Sequence, residues 1–393
     1  MDAIWAVPPL NELFNVAHDR PFSLLFANYS WLLGMAGGLA LLWVAYTISF
    51  NARSDEGRHP VYKLAMPLAA ATIVAGFLNV LAEVRQPSRL IYGYTQGWYN
   101  WDTAIIKYGI IILPLFLMTC WWLSFQSISR EQLERGIARF PVKLTPLLDF
   151  MTLWSRRYSI FDYPMLSRVV IGVMIFFGFF APLYSAVFLM YEHGVPVWNS
   201  PAQALIFIAT ALAKGAAIFM VFAPAIYFLG TGRRIELRER RPRWLAVAAL
   251  VVAAVTWFGW MWWISRLGTL PDQQLAVLVS GPYRQAIVWH WEIIGLILPL
   301  VLLATPLGKL NVSRWLAGIG ILWGSYAIRY FVVVGGQSLN RSGAGYLGAT
   351  LDWDVVWYTG FSFLFLIGLL ALLMLLMSYN LGDRPSLQEG EAK

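Results

Sequence analysis

Apolar and polar positions come in blocks along this chain. Apolar runs recur at about 23–50, 61–84, 103–128, 167–191, 201–229, 244–265, 283–305, 312–334 and 353–378. Each holds about 20 residues or more, enough for a helix to cross a hydrocarbon core about 30 Å thick. The runs are continuous rather than alternating with period two, so they predict helices and exclude a β-barrel. The pattern therefore predicts an all-α polytopic membrane protein with about nine transmembrane helices. The block 130–166 is broken by Arg, Lys, Asp and Pro and is expected to lie at the interface, as is the N-terminal segment 1–22. That segment lacks the basic-then-apolar order of a signal peptide, so the first span is expected to direct insertion.

Composition sharpens this reading. The chain is 59% hydrophobic and 13% charged, against about 25% charged for soluble domains. Its net charge of +8 suggests nucleic acid until the basic residues are placed. Loop 130–168 carries seven of them and loop 231–243 six, and Arg53, Arg58, Lys309 and Arg314 fall in loops on the same side. Loops on the other side hold Arg85, Arg89 and Arg341, and none lies between 192 and 200. This asymmetry excludes nucleic acid as the partner and predicts an outside N-terminus and a cytoplasmic C-terminus. The single cysteine, Cys120, excludes an intrachain disulfide, a cysteine-ligated iron–sulfur cluster and a cysteine-rich zinc site. The outward stretches LIYGYTQGWYNW and VPVWNS are rich in aromatics, which suits a membrane-interface belt or a docking surface.

Orientation assigns depth to the polar residues inside the spans. Asn79 and Glu83 share a face near the outer end of the second span. Lys107 lies about one turn into the third, with Asp102 at its mouth. Tyr29, Tyr184, His290, Glu292 and Arg329 fall in the outer halves of their spans, and Lys214 lies near the middle of the fifth. A charge at the bilayer centre costs about 2.5–3.5 kcal/mol on insertion scales, so each such residue needs a reason. Lys107 can tie to Glu83 or Asp102. Arg329 can pair with Glu292, cap carbonyls of a neighbouring helix or snorkel outward. The expectation is an ion pair first and a proton-path element second. Together the groups predict a polar pocket in the outer leaflet for something amphiphilic or protonatable. Among His18, His59, His193 and His290 only the last lies well inside a span, which argues against a bis-histidine haem, and no redox metal is expected in this chain. GMAGG at 34–38 and AKGAA at 213–217 predict close helix contacts.

Four stretches carry a family likeness: NYSWLLGMAGGLALL, NVLAEVRQPSRL, the run from APLYSAVFLM at 181 to ALAKGAA at 217, and IRYFVVVGGQS at 328–338. In order and spacing over about residues 20–340 they resemble the polysulfide-reductase/NrfD-type family of quinone-interacting membrane subunits. The resemblance implies two four-helix bundles, 23–191 with the quinone site and 192–340; the additional helix and cytoplasmic tail over 341–393 depart from the family's eight-helix core. It implies electron exchange between menaquinone or ubiquinone and a periplasmic four-cluster iron–sulfur subunit, with a molybdopterin or multihaem catalytic subunit beyond. The setting implied is a bacterial or archaeal inner membrane. The family's quinone-bonding tyrosine falls on Tyr184, and an assisting first-helix histidine falls on Tyr29. A tyrosine can donate to a quinone oxygen but cannot take up a second proton near neutral pH, so Glu83 or His18 is the candidate acceptor. The expected quinone set is Tyr184, Tyr29, Asn79 and Glu83. The expected proton-transfer set is Glu83, Lys107, Asp102, His290, Glu292, Arg329 and Lys214. The run FSFLFLIGLLALLMLLM reads as a lipid-facing ancillary helix. A secondary transporter or proton conductor is the main alternative, because intramembrane Lys, Glu and Arg also mark substrate paths; a purely structural anchor is the other.

Overall fold

The computed structural model describes residues 22–49, 60–83, 90–95, 105–126, 163–191, 195, 197–231, 241–267, 281, 283–337 and 353–382. The predicted interfacial segments 1–22 and 130–166, the histidines His18, His59 and His193, and Asp102 lie outside these residues, apart from Phe22 and 163–166. Among the described residues there is no strand, and eight helices are long and apolar enough to cross a membrane. They are α1 (Leu24–Ser49), α2 (Pro60–Glu83), α4 (Ile106–Gln126), α5 (Pro164–Met190), α6 (Pro201–Thr231), α7 (Arg241–Leu267), α8 (Arg284–Ala304) and α9 (Asn311–Gly335). A short helix, α3 (Leu90–Thr95), follows α2 in the stretch read as an aromatic loop. The last helix, α10, runs over Trp353–Gly382. The protein is thus a multi-pass helical membrane protein.

Proline opens α2, α5 and α6, where its missing N–H costs nothing and its fixed φ suits the first turn. Two helices depart from α geometry. In α8 the backbone winds as a π-helix over Ile287–Ile297, and α9 does the same over Phe331–Gly335. π segments of this kind are rare and recur at functional sites.

The helices close into two rings. In the first, α1 packs on α2, α2 on α4, α4 on α5 and α5 back on α1; in the second, α6, α7, α8 and α9 close in the same way. The rings meet chiefly where α1 lies against α6. The glycine pair allows this approach. A Cβ on Gly38 would strike the Ala211 carbonyl, and one on Gly215 would strike Gly38, so the backbones cross without side chains between them. Gly37 serves α5 instead, where a Cβ would lie 2.7 Å from the Gly178 carbonyl oxygen. Gly295 of α8 and Gly324 of α9 are pressed together equally closely.

Helix α10 turns most of its described residues outward, as expected of a lipid-facing ancillary helix, and packs its other face on α2, α6 and α1. Thr359 and Ser362 carry its polar contacts into the protein, and Phe363 lies against Trp31 and Tyr326 with ring centroids 6.0 and 6.3 Å away.

Candidate functional site

The polar residues singled out in the sequence gather toward the end of the protein where α1 begins, called below the Phe22 end. Phe22 itself is a junction: its N–H donates to Gln337 Oε1 at 3.0 Å, and Gln337 Nε2 returns a bond to its carbonyl at 2.8 Å. Its ring lies 5.6 Å from Phe188 of α5 and 5.4 Å from Trp198.

Tyr29 and Tyr184 are brought together in the first ring. Both are buried, and Phe26 and Phe188 bridge them with centroid steps of 5.9, 5.4 and 6.0 Å. Tyr184 also stacks on Phe180 at 5.5 Å. Each phenol lies against a glycine. The Tyr29 ring passes 3.6 Å from where a Gly76 Cβ would stand, and the Tyr184 hydroxyl occupies the place a Gly109 side chain would take on α4. Neither hydroxyl hydrogen-bonds to a described residue. A buried phenol ordinarily finds a partner, and neither of these has one among the described residues.

Asn79 and Glu83 are engaged elsewhere. Asn79 Oδ1 accepts from Asn28 Nδ2 and from the Ser362 hydroxyl, both at 3.2 Å, and its Nδ2 donates to the Ala75 carbonyl at 2.8 Å. Asn28 Nδ2 also reaches Thr359 Oγ1 at 3.1 Å, and its Oδ1 accepts from Tyr326 at 2.9 Å. This network ties α1, α2, α9 and α10 into one polar knot. Glu83 caps α1: Oε1 accepts from the Ser23 N–H at 2.6 Å, and the Ser23 hydroxyl donates to Oε2. Its charge thus sits at the positive end of the α1 dipole. Lys107 is buried in the first turn of α4.

The other predicted groups divide between two places. Arg329 is fully buried where α1, α6 and α9 meet. Its Nε donates to the Ser30 carbonyl at 3.3 Å, Nη1 to Thr210 Oγ1 and the Ser325 carbonyl at 3.0 Å each, and Nη2 to the Phe207 carbonyl at 3.3 Å. The guanidinium also lies over the Phe207 ring, 4.5 Å from its centroid. Beside it Lys214 Nζ donates to the Trp31 carbonyl at 2.5 Å. The expected ion pair between Arg329 and Glu292 does not form. Glu292 Oε1 is taken by Arg284 Nη1 at 2.9 Å and Trp257 Nε1 at 3.1 Å, so the carboxylate faces α7 and its own helix. Arg329 instead satisfies the carbonyl-capping alternative. His290 is half-buried at the lipid side, where its Nδ1 accepts from Trp323 Nε1 at 3.1 Å.

Sequence reasoning missed Asn28, Tyr326, Thr359, Ser362 and Arg284. The first two adjoin residues it did single out, in NYSW and in YAIRY. Arg284 escaped because it lies eight positions before Glu292, outside the three- and four-residue spacings by which side chains pair on a regular helix.

A multi-pass bundle with a paired-tyrosine recess in its first ring is the class of protein this geometry defines. The family model for polysulphide reductase, NrfD, matches residues 12–340, and the chain belongs to that family. Helix α10 begins beyond that match. Among curated proteins, a selenate reductase subunit from Mesobacillus selenatarsenatis is 23% identical over 341 residues, covering 80% of this chain and 73% of that protein. The chain is therefore a membrane subunit of the reductase-complex type.

Proposed function

We propose that this subunit passes electrons between a membrane quinol and an iron–sulfur partner docked outside the membrane, and that Tyr29 and Tyr184 hold the quinone headgroup. The carrying observation is the pair of buried phenols in one aromatic recess, neither hydrogen-bonded to a described residue. A quinone headgroup is flat, apolar on its faces and has an acceptor oxygen at each end. The Phe26, Phe188 and Phe180 rings suit the faces, and the two hydroxyls suit the oxygens.

Menaquinol or ubiquinol, once bound, gives up two electrons and two protons. The electrons leave to the partner; the protons need an acceptor, because a phenol cannot take a second one near neutral pH. Glu83, half-buried at the same end of the first ring, is the nearest described carboxylate in sequence to that recess and receives them by way of Ser23 and water. The asymmetry of the basic loops supports an outward position for this end, with protons released there. Arg284, Glu292 and His290 lie in the second ring and stand apart from this step. The selenate reductase relative supports a complex whose terminal acceptor is an inorganic oxyanion handled by another subunit.

The test is quinol oxidation by the intact complex carrying Tyr184→Phe or Tyr29→Phe. Loss of one hydroxyl that bonds the headgroup lowers kcat/KM about 10- to 100-fold, equivalent to about 1.4–2.8 kcal/mol. Unchanged kinetics in both variants would leave the subunit as a structural anchor.

A further inference from the structure

A second polar feature lies outside the tyrosine recess. Along α6 the residues Gln203, Phe207, Thr210 and Lys214 follow one another at intervals of four, three and four. That spacing puts them on one face of the helix, the face that meets α1 and α9. The stripe starts one turn inside the Phe22 end and stops at mid-helix. Gln203, Thr210, Lys214 and the Arg329 that reaches into the stripe are 0–1% exposed.

Gln203 is the anomaly. Both its Oε1 and Nε2 are buried and make no hydrogen bond. An amide can make four such bonds, and stranding one in an apolar setting costs about 2–7 kcal/mol. Further along the stripe, the Thr210 hydroxyl donates to the Ile206 carbonyl at 2.7 Å and accepts from Arg329. Lys214 uses one of its three N–H groups on the Trp31 carbonyl. Gly34 lets both cations sit against α1: a Cβ there would lie 2.7 Å from Lys214 Nζ and 3.1 Å from Arg329 Nη2. The charged group facing Lys214 is Arg329 from α9; α1 offers the Trp31 carbonyl and ring, and neither cation pairs with a described carboxylate.

We propose that the inner face of α6 holds a file of water running from the Phe22 end, past Gln203 and Thr210, to the Lys214 amine, which exchanges protons through it. Buried waters sit where unsatisfied polar groups would otherwise be stranded, and the Gln203 amide supplies donor and acceptor to the first of them. Arg329 stays protonated, so Lys214 is the one group in the stripe that gains and loses a proton. The step is a simple exchange: the ammonium gives a proton to water, leaving the neutral amine and hydronium, and the reverse reloads it. Nothing in it depends on the tyrosine recess.

Reductive methylation of the purified full chain in lipid nanodiscs tests this, with formaldehyde and cyanoborohydride as probe and peptide mass spectrometry as readout. Formaldehyde condenses only with a neutral amine, so modification of Lys214 reports both water access and proton exchange. The expected result is methylation of Lys214 in the folded protein, faster at higher pH. Gln203→Leu is expected to slow it about tenfold or more by breaking the file, while the exposed Lys309 at the opposite end reacts as before. Gln203→Cys in a Cys120→Ser background should likewise react with a small charged thiol reagent, whereas Ala213→Cys, equally buried but off the stripe, should not. Lys214 that is methylated only after unfolding in detergent overturns the proposal. So does a Lys214 rate indifferent to Gln203→Leu, or a Gln203→Cys that stays silent in a protein of native thermal stability.

Discussion

Arg329 keeps its charge inside the membrane by giving its N–H groups to main-chain and hydroxyl oxygens of three helices rather than to a carboxylate. A guanidinium offers five donors in a fixed fork, which a lysine could not reproduce at the same carbonyls. The sequence showed that this position is buried and cationic; it did not show the partner, because every helix carries carbonyls and pattern reasoning looks for opposite charge. Gly109 teaches the converse. It reads as an ordinary small residue in KYGIII, yet the Tyr184 hydroxyl stands where its side chain would be. Gly109→Ala is therefore expected to displace that hydroxyl and lower quinol oxidation about as much as Tyr184→Phe does, about 10-fold or more, with little change in thermal stability. Steady-state kinetics beside a melting curve separates the two effects. The converging tyrosines themselves were legible, Tyr184 and Tyr29 through family likeness. The engagement of Asn79 in another network was not, since its donor Asn28 and its partner Ser362 are 51 and 283 positions away.

Among the elements, α1 is the shared wall, contacting both rings and α10. Its small-residue face was readable from GMAGG, and the division of labour within it (Gly38 toward α6, Gly37 toward α5) follows from one residue turning about 100°. Gly38→Leu would force the α1 and α6 backbones apart and forfeit the Lys214 and Arg329 contacts with them. Such overpacking typically costs about 1–3 kcal/mol, and backbone against backbone leaves little room to relax. The expected outcome is poor accumulation in the membrane and an early thermal transition, whereas Gly172→Leu, on an open face of α5, leaves both unchanged. Span limits were legible to within a few residues: 312–334 was expected and Asn311–Gly335 is found, and 103–128 was expected where Ile106–Gln126 is found. The π segments were not, because one added residue per turn leaves no mark in hydropathy. Nor was the inward face of α10, whose two polar anchors, Thr359 and Ser362, are lost in a run of Phe and Leu. A Thr359→Val, Ser362→Ala double variant should lower stability by about 1–3 kcal/mol for its hydrogen bonds with Asn28 and Asn79, read as an earlier midpoint of thermal unfolding in detergent.

At the scale of the whole molecule, polar chemistry is concentrated at one end and basic anchoring at the other. There Arg243 Nε donates to the Leu303 carbonyl at 2.5 Å and Arg314 Nε to Gly308 at 2.7 Å, pinning the ends of α7, α8 and α9. On the proposed function, the Phe22 end is the one that would meet an iron–sulfur partner. Affinity purification of the native complex should therefore bring down a protein with several iron–sulfur clusters, seen by iron content and visible absorption; isolation of this chain alone under mild detergent would favour a transporter.

The connection between the two rings bears on how such docking would be felt inside. Trp198 is fully buried, donates from Nε1 to the Val332 carbonyl at 2.6 Å in the π segment of α9, and leaves no space for a side chain at Gly336. The crossover before α6 is thus riveted to the tip of α9, one turn from Arg329. A protein seated on that crossover would bear on Trp198 and, through its bond to Val332, on the turn of α9 that follows Arg329.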